Sequence, residues 1–184
     1  MNSKLQIISG KFRGKKLNLP PNARPTQNLA RGALFNMLNG ILNVSKSFKV
    51  WDVFAGSGAF GLECLSRYDN ADVIFTDNAD TSIETIKNNV KSINCSAVIE
   101  KTDAIAAISK FGKDADLIFM DAPYSEFDLG VKFIKKITPI AKKGAILIWE
   151  FEKIQKTPEL AEFWVLLKDK TYGRARFLIL QKKQ

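Results

Sequence analysis

A regular alternation of strand-like and helix-like segments between residues 50 and 150 constrains the fold of this chain more than any other feature. Short apolar runs such as 116–121 alternate with segments whose apolar residues recur every three or four positions, as at Ile83, Ile86 and Val90. Such alternation is typical of a mostly parallel sheet covered by helices. We predict strands over 50–54, 73–76, 97–100, 116–121 and 145–149, and helices over 60–68, 83–93, 104–111 and 129–140.

Both ends of the chain depart from this alternation. After the fifth strand, two strand-like runs at 163–167 and 176–180 flank the polar segment 169–173, which we interpret as the turn of an antiparallel hairpin. Before the first strand, a strand-rich segment precedes a helix predicted over 27–42, with Thr26 as its N-cap. We therefore predict a basic, β-rich and helical extension over 1–45, followed by an α/β domain of the Rossmann-like kind over 46–184.

Basic residues are concentrated near the N-terminus. The chain has 28 Lys and Arg against 19 Asp and Glu, a formal charge of +9, and no acidic residue occurs among the first 31 residues. A generic excess of surface lysine would be spread along the chain, whereas a cluster favours a polyanionic partner. The basic candidates for this contact are Lys11, Arg13, Lys15, Lys16, Arg24 and Arg31.

The residues that are missing also narrow the chemistry. The chain has no histidine, which excludes His-based triads and His metal ligands. Its two cysteines, Cys64 and Cys95, lack metal-ligand spacing and are predicted to be reduced thiols in a cytoplasmic protein. No apolar run approaches the length of a membrane span. We expect neither a metal nor a membrane partner.

A glycine-rich segment follows the first predicted strand, where α/β proteins bind cofactors. Its pattern is compatible with a dinucleotide site, and also with a tight turn that binds no ligand. Asp52, at the end of the strand, favours S-adenosyl-L-methionine, because a carboxylate attracts its sulfonium and ammonium groups and would repel a pyrophosphate. The predicted cofactor-binding residues of this segment are Asp52, Phe54, Ala55, Gly56, Ser57, Gly58 and Gly61.

Two further acids are candidates for an adenosine site. Asp77 ends the second predicted strand, where a carboxylate can accept hydrogen bonds from both ribose hydroxyls. Asp103 follows the third strand and is predicted either to bind the adenine amino group or to cap a helix.

The segment Asp121-Ala122-Pro123-Tyr124 ends the fourth strand, at the same edge of the sheet as the glycine loop. An Asp carboxylate and a neighbouring carbonyl can accept hydrogen bonds from an aromatic amine and localise its lone pair for attack, while Tyr124 can stack on the base. We predict these four residues to be catalytic. The alternatives are an ordinary strand-ending turn, or a hydrolytic acid/base pair formed with Asp52, which would leave the glycine loop unexplained.

Several segments together resemble one bacterial family. They are Ile8-Ser-Gly10-Lys-Phe-Arg13-Gly14-Lys-Lys16-Leu17, Arg24-Pro25-Thr26, Arg31 with Ala33-Leu34-Phe35-Asn36-Met37-Leu38, Asp52 to Gly61, Leu65-Ser66-Arg67, and Asp121 to Tyr124. The chain is similar over nearly its whole length to the 16S ribosomal RNA guanine-N2 methyltransferases of the RsmD type. The resemblance implies methylation of one guanine N2 in the small subunit or an assembly intermediate, with RNA docking by the N-terminal region, Thr26 included, and we expect a monomer.

The chain departs from this family at a few positions. Ala122 replaces a proline, although its carbonyl, the predicted hydrogen-bond acceptor, is retained. Asn28, Leu29 and Gly32 stand where the family tends to carry charged residues.

Three other functions are compatible with parts of the sequence. A nucleotide-dependent oxidoreductase would share the glycine loop, but it would not need Asp52 or the Asp121–Tyr124 segment. A DNA adenine or cytosine amino-methyltransferase would share both motifs, yet it usually has a separate target-recognition region, for which 184 residues leave little room. A noncatalytic RNA-binding protein could retain the same scaffold.

Overall fold

The computed structural model describes residues 5–21, 28–44 and 46–183, and in these ranges the chain forms one mixed sheet of seven strands in the order β3-β2-β1-β4-β5-β7-β6. The first five strands are parallel, and β7 runs antiparallel to both β5 and β6. The strands are β1 (Phe48–Asp52), β2 (Ala71–Asp77), β3 (Val98–Lys101), β4 (Leu117–Asp121), β5 (Ile146–Glu152), β6 (Trp164–Tyr172) and β7 (Ala175–Lys182). The predicted mostly parallel sheet with a C-terminal antiparallel hairpin is confirmed.

Helices cover both faces of the sheet, because successive strand residues point to opposite faces. In β1, for example, Val50 packs in one apolar cluster and Trp51 in the other. The cluster around Val50 includes residues of α1, α2 and α3, and the cluster around Trp51 includes residues of α4 and α5. The helices are α1 (Asn28–Leu38), α2 (Ala59–Arg67), α3 (Asp80–Ser92), α4 (Ile108–Phe111) and α5 (Phe127–Ile137).

The described part of the N-terminal extension packs in the same cluster as Val50. Leu5, Ile7 and Leu17 are buried there. Residues 5–17 form a short hairpin with a single antiparallel bridge between Gln6 and Lys16, so the strand-rich segment predicted at 5–19 has less regular strand than expected. Because its turns are held by contacts with α2, it does not need a long ladder of its own.

Gly10 explains how closely this hairpin approaches α2. Its φ is +83°, and a Cβ at this position would lie 1.9 Å from the carbonyl oxygen of Ser66. The neighbouring Lys11 N–H donates a 2.9 Å hydrogen bond to that same oxygen. A side chain at position 10 would therefore separate the extension from α2.

Several predicted boundaries differ from those in the structure. The polar segment 169–173 is not the hairpin turn, because β6 continues to Tyr172 and the chain reverses at Gly173 and Arg174. As an edge strand, β6 exposes most of its residues, so polar side chains do not interrupt it. The helix predicted at 104–111 is shorter, with only Ile108–Phe111 in α-helical conformation.

The helix predicted at 27–42 ends earlier, at Leu38. Its predicted N-cap, Thr26, and its predicted first residue, Gln27, lie outside the described residues.

The sheet order places a crevice where the connections diverge. From β1 the chain moves outward to β2 and β3, then returns to β4 on the other side of β1. The crevice beyond the carboxyl ends of β1 and β4 is the usual ligand site of open α/β sheets.

Candidate active site

A cavity of about 770 Å³ lies at this carboxyl edge. The residues around it come from the ends of β1, β4 and β5, from the hairpin β6–β7 and from α1. The lining includes the glycine-loop residues Phe54, Ala55, Gly56 and Ser57, the β4-end residues Asp121, Ala122, Pro123, Tyr124 and Ser125, and the charged residues Asp52, Glu150, Arg31 and Arg174.

Three carboxylates converge on this cavity because of the period of two along each strand. Asp52 lies two residues after Val50, Asp121 two after Phe119 and Glu150 two after Ile148, and these three apolar residues all pack in the same cluster. The carboxylates consequently lie on one side of the sheet, on three adjacent strands. Asp121 and Glu150 are direct register partners.

The glycine loop between β1 and α2 borders the cavity through residues 54–57. Gly56 has a φ of +54°, a conformation that favours glycine, and space is open where its Cβ would be. Gly61 has another function, since a Cβ there would lie 2.3 Å from the Phe75 ring. Of the predicted loop residues, Phe54, Ala55, Gly56 and Ser57 border the cavity, while Gly58 and Gly61 pack α2 against the sheet.

Asp52 is 1% exposed and accepts a 3.0 Å hydrogen bond from the Gly61 N–H through Oδ2. Burial raises the pKa of Asp52 to about 7, opposed by the Gly61 hydrogen bond and reinforced by the charges of Asp121 and Asp77. A cation in the cavity would offset this burial cost. Asp52 therefore both holds the start of α2 and places a carboxyl group at the cavity.

Asp77 and Asp103 flank the glycine loop without bordering the cavity. Asp77 accepts hydrogen bonds from the N–H groups of Gly56 (2.8 Å) and Ala79 (2.9 Å), so it orients the loop. Asp103 accepts from Ile105 (2.9 Å) and Ala106 (3.0 Å), the capping geometry that was one of its two predicted functions. The contacts of Asp77 with a ribose and of Asp103 with an adenine stay predictions.

Asp121, Ala122, Pro123 and Tyr124 all border the cavity at the end of β4. Burial raises the pKa of Asp121 to about 7. Tyr124 begins a 3-10 turn, and its hydroxyl donates a 3.4 Å hydrogen bond to Oε1 of Glu150. Burial, with the neighbouring Glu150, also raises the pKa of Tyr124 above its ordinary value.

Glu150 is a site residue that the sequence analysis missed. It is 5% exposed, and its Oε2 has no hydrogen-bond partner among the described residues. Burial raises the pKa of Glu150 well above its ordinary value, reinforced by the charge of Asp121. The sequence feature that could have identified Glu150 is a single carboxylate within the otherwise apolar run 145–151.

The basic residues predicted to contact a polyanion do not form one uniform patch. Arg13, Lys15 and Lys16 are exposed, and Lys11 forms a 3.0 Å ion pair with Asp69. Arg24 and Thr26 lie outside the described residues.

Arg31 does not lie on the exposed basic surface, although it borders the cavity, and its predicted contact with RNA stays a prediction. Its side chain is 2% exposed, because it lies on the inner face of α1. Its guanidinium donates to the Gln6 carbonyl and to Asn28, and lies 3.7 Å from the Glu63 carboxylate.

Neither a membrane-crossing helix nor a metal-binding cluster is found in the described ranges. None of their helices is long and apolar enough to cross a membrane. Within the same ranges, no three or more Cys, Asp and Glu side chains are grouped so that they could hold a metal ion.

Comparison with known proteins gives matches over almost the whole chain. The family described as "Conserved hypothetical protein 95" matches residues 5–181. Ribosomal RNA small subunit methyltransferase D of Buchnera aphidicola is 34% identical over 179 residues, covering 92% of this chain and 88% of that protein. The protein of the same name from Haemophilus influenzae is 32% identical, covering 96% of this chain and 93% of its own length.

A solved structure extends this agreement to the fold. The yhhF protein of Escherichia coli superimposes with a TM-score of 0.85 at 26% identity, covering 97% of this chain and 98% of that one. The family match spans the N-terminal hairpin, the glycine loop and the Asp121–Tyr124 segment. The chain therefore belongs to the family of ribosomal RNA small subunit methyltransferase D.

Proposed function

We propose that this chain transfers a methyl group from S-adenosyl-L-methionine to the exocyclic N2 amino group of a guanine in 16S ribosomal RNA. The observation that carries the chemistry is that Asp52 and Asp121 border one cavity beside the glycine loop. The names of the relatives support ribosomal RNA as the substrate.

The residues around the cavity fit a cationic adenosine cofactor. The backbone of residues 54–57, which borders the cavity, would hold it, and Asp52 would face its positive charge. Asp77 and Asp103 lie outside the cavity lining, where they would face the ribose and the adenine as the cofactor extends along the glycine loop. When bound, S-adenosylmethionine supplies a methyl group activated by a sulfonium. Carboxylates on this side of the cavity would repel the pyrophosphate of a nicotinamide dinucleotide, which counts against an oxidoreductase.

The end of β4 would hold the methyl acceptor. The Asp121 carboxylate and the Ala122 carbonyl would accept hydrogen bonds from the two amino hydrogens, leaving the nitrogen lone pair free to attack. As the N–C bond forms and the S–C bond breaks, the nitrogen must lose a proton, and Asp121 would accept it. A carboxylate with a pKa of about 7 is suited to this transfer near neutral pH. Tyr124 would stack on the base, and Pro123 would restrict the turn.

The basic surface of the extension would dock the RNA. Arg13, Lys15 and Lys16 are exposed, and Leu19, three residues further along, borders the cavity. We assign this function to residues 1–45, including Lys11, Arg24 and Thr26. The partner is the small subunit or an assembly intermediate of it, the site of action is the cytoplasm, and the enzyme acts as a monomer.

Transfer of labelled methyl groups tests this proposal. The substrates are small subunits from a strain lacking the modification, naked 16S rRNA, and duplex DNA. We expect label on guanine N2 of the subunit or its rRNA. In Asp121→Asn the transfer rate should fall on the order of 100-fold or more, with cofactor affinity within about threefold, because the lost group acts on the amine.

Asp128→Asn is the matched control, since Asp128 is an exposed carboxylate on α5. Its transfer rate should be unchanged. Label on DNA alone would favour a DNA amino-methyltransferase, and cofactor binding without any transfer would favour a noncatalytic protein on this scaffold. A large loss of cofactor affinity in Asp121→Asn would contradict the function assigned to Asp121.

A further inference from the structure

Glu150 is a buried acceptor that the reaction described above does not use. Its carboxylate borders the cavity, and the side chain is 5% exposed. Oε1 accepts the Tyr124 hydroxyl, while Oε2 has no hydrogen-bond partner among the described residues. A buried acceptor without a donor is destabilising, so an arrangement of this kind favours a ligand that brings the donor.

The position of Glu150 relative to Asp121 limits which atom of a bound base could donate a hydrogen bond to Oε2. Glu150 is the register partner of Asp121 on the adjacent parallel strand, and adjacent strands lie about 4.8 Å apart. On its other side, β7 pairs Phe177 with Glu150, and Phe177 also borders the cavity. A base whose amino group is held at Asp121 would therefore place a ring nitrogen next to the amino-bearing carbon close to Glu150.

We propose that Glu150 is a specificity-determining residue, whose Oε2 accepts a hydrogen bond from N1–H of the target guanine. This inference rests on the proposed function and identifies how the site selects its base. In guanine, N1 is one of the two ring nitrogens bonded to the amino-bearing carbon, and it carries a hydrogen that it can donate. In adenine and cytosine the corresponding ring nitrogen has no hydrogen and is an acceptor.

This contact would select guanine by penalising the other bases. If the ring nitrogen of adenine or cytosine faces the buried Oε2, two acceptors meet and neither has a donor. Sites that bind a substrate N–H reject analogues that lack it. The contact does not require an ionised Glu150. If the carboxyl group is protonated on Oε1, that O–H can donate to Tyr124 and Oε2 still accepts.

A substrate analogue separates this function from a merely structural one. 2-Aminopurine keeps the amino group of guanine, but its N1 is an acceptor. The substrate is 16S rRNA joined by ligation, with guanine or 2-aminopurine at the methylated position, and kcat/KM is measured for each base. The unaltered enzyme should prefer guanine on the order of 100-fold.

In Glu150→Gln this preference should fall at least tenfold, because the amide can donate to N1 of 2-aminopurine. Loss of the O6 atom in the analogue affects both enzymes equally, so the change in preference reports on position 150. Glu84→Gln, an exposed carboxylate on α3 away from the cavity, is the control with the same chemical change and should keep the full preference.

The outcomes distinguish this inference from the proposed function. If the unaltered enzyme labels guanine RNA but Glu150→Gln keeps the original preference, the inference is wrong and the proposed function stands. Equal use of 2-aminopurine and guanine by the unaltered enzyme would overturn the inference without any variant. If the unaltered enzyme labels no RNA, both the proposed function and the inference fail.

Discussion

At the scale of a single residue, the proposed contact of Asp52 with the cofactor predicts that cofactor binding depends on pH. Its pKa is raised to about 7, mainly by burial, so the carboxyl group is largely protonated at pH 6 and ionised at pH 8. A cationic cofactor binds the ionised form better, so its affinity should rise roughly tenfold between these pH values. Titration calorimetry with S-adenosylmethionine measures this directly. Asp52→Asn should bind the cofactor more weakly, and its affinity should change by less than about threefold between pH 6 and pH 8.

The titration of Asp52 affects stability and cofactor affinity in opposite directions: as the pH rises, affinity increases and the stabilising contribution of Asp52 decreases. In the cofactor-free protein, Asp52 retains a proton that the unfolded chain releases near pH 4. The contribution of Asp52 to the free energy of unfolding is therefore largest below pH 4, and it is lost as the pH rises through about 7. An unchanged pH dependence of affinity in Asp52→Asn would assign the titration to another carboxylate, such as Asp121.

Most of the site residues could be predicted because they lie in short motifs at strand ends. Asp52 and Asp121 follow apolar runs that are unmistakable strands, and the carboxyl ends of parallel strands meet at one edge. Glu150 was missed because it lies inside a run that continues to Phe151, where nothing in the sequence marks the strand end. Counting in steps of two from Ile148 would have placed it beside Asp121.

Arg31 was misplaced because charge was given more weight than helical spacing. It lies three residues before Leu34 and seven before Leu38, so all three share the inner face of α1. What compensates the buried guanidinium is Glu63, a residue of another helix distant in sequence. Such a pairing could not be predicted from one sequence.

At the scale of elements, Glu63 joins the extension, α1 and α2. Its carboxylate is fully buried and accepts the N–H groups of Ile8 (2.8 Å) and Ser9 (3.0 Å) and the Arg67 Nε (2.7 Å). The Arg31 guanidinium lies beside it. Burial lowers the pKa of Arg31, and the Glu63 carboxylate opposes this shift.

Glu63→Ala should destabilise the protein by about 3–5 kcal/mol, because it leaves the buried Arg31 guanidinium without its counterion and two N–H groups without their acceptor. For a chain of this size the melting temperature should fall roughly 10 °C. Urea and thermal unfolding measure both quantities.

Asp69→Asn is the control for Glu63→Ala, since the Lys11–Asp69 pair is exposed and should contribute less than about 1 kcal/mol. Equal effects of the two substitutions would mean that Glu63 does not anchor the extension.

Strands were predicted best where the sequence has a clear apolar run. The buried strands β1, β2, β4 and β5 were predicted within a few residues, since no polar residue interrupts their central parts. The turn after β6 was misplaced because an exposed edge strand and a loop have similar polarity. The N-terminal hairpin could not be defined from periodicity, because a few cross-strand hydrogen bonds and contacts with α2 maintain it without a regular strand ladder.

At the scale of the whole molecule, the question is whether RNA is bound by net charge or by one surface. Arg13, Lys15 and Lys16 are exposed on the hairpin, and among the described residues they form no ion pair. The exposed residues Lys132, Lys135 and Lys136 lie on α5, which packs on the opposite face of the sheet. The two triplets carry the same charge, so replacing either one by alanine lowers the net charge equally.

Salt dependence of RNA binding separates the two cases. Each phosphate contact adds roughly 0.7–0.9 to the slope of log affinity against log salt. Replacing Arg13, Lys15 and Lys16 by alanine should therefore lower that slope by about 2–3 and weaken binding at low salt, with cofactor affinity unchanged. The triple alanine variant of Lys132, Lys135 and Lys136 should keep nearly the original slope. If both variants lose the same amount, the RNA responds to net charge, and the hairpin is not the docking surface.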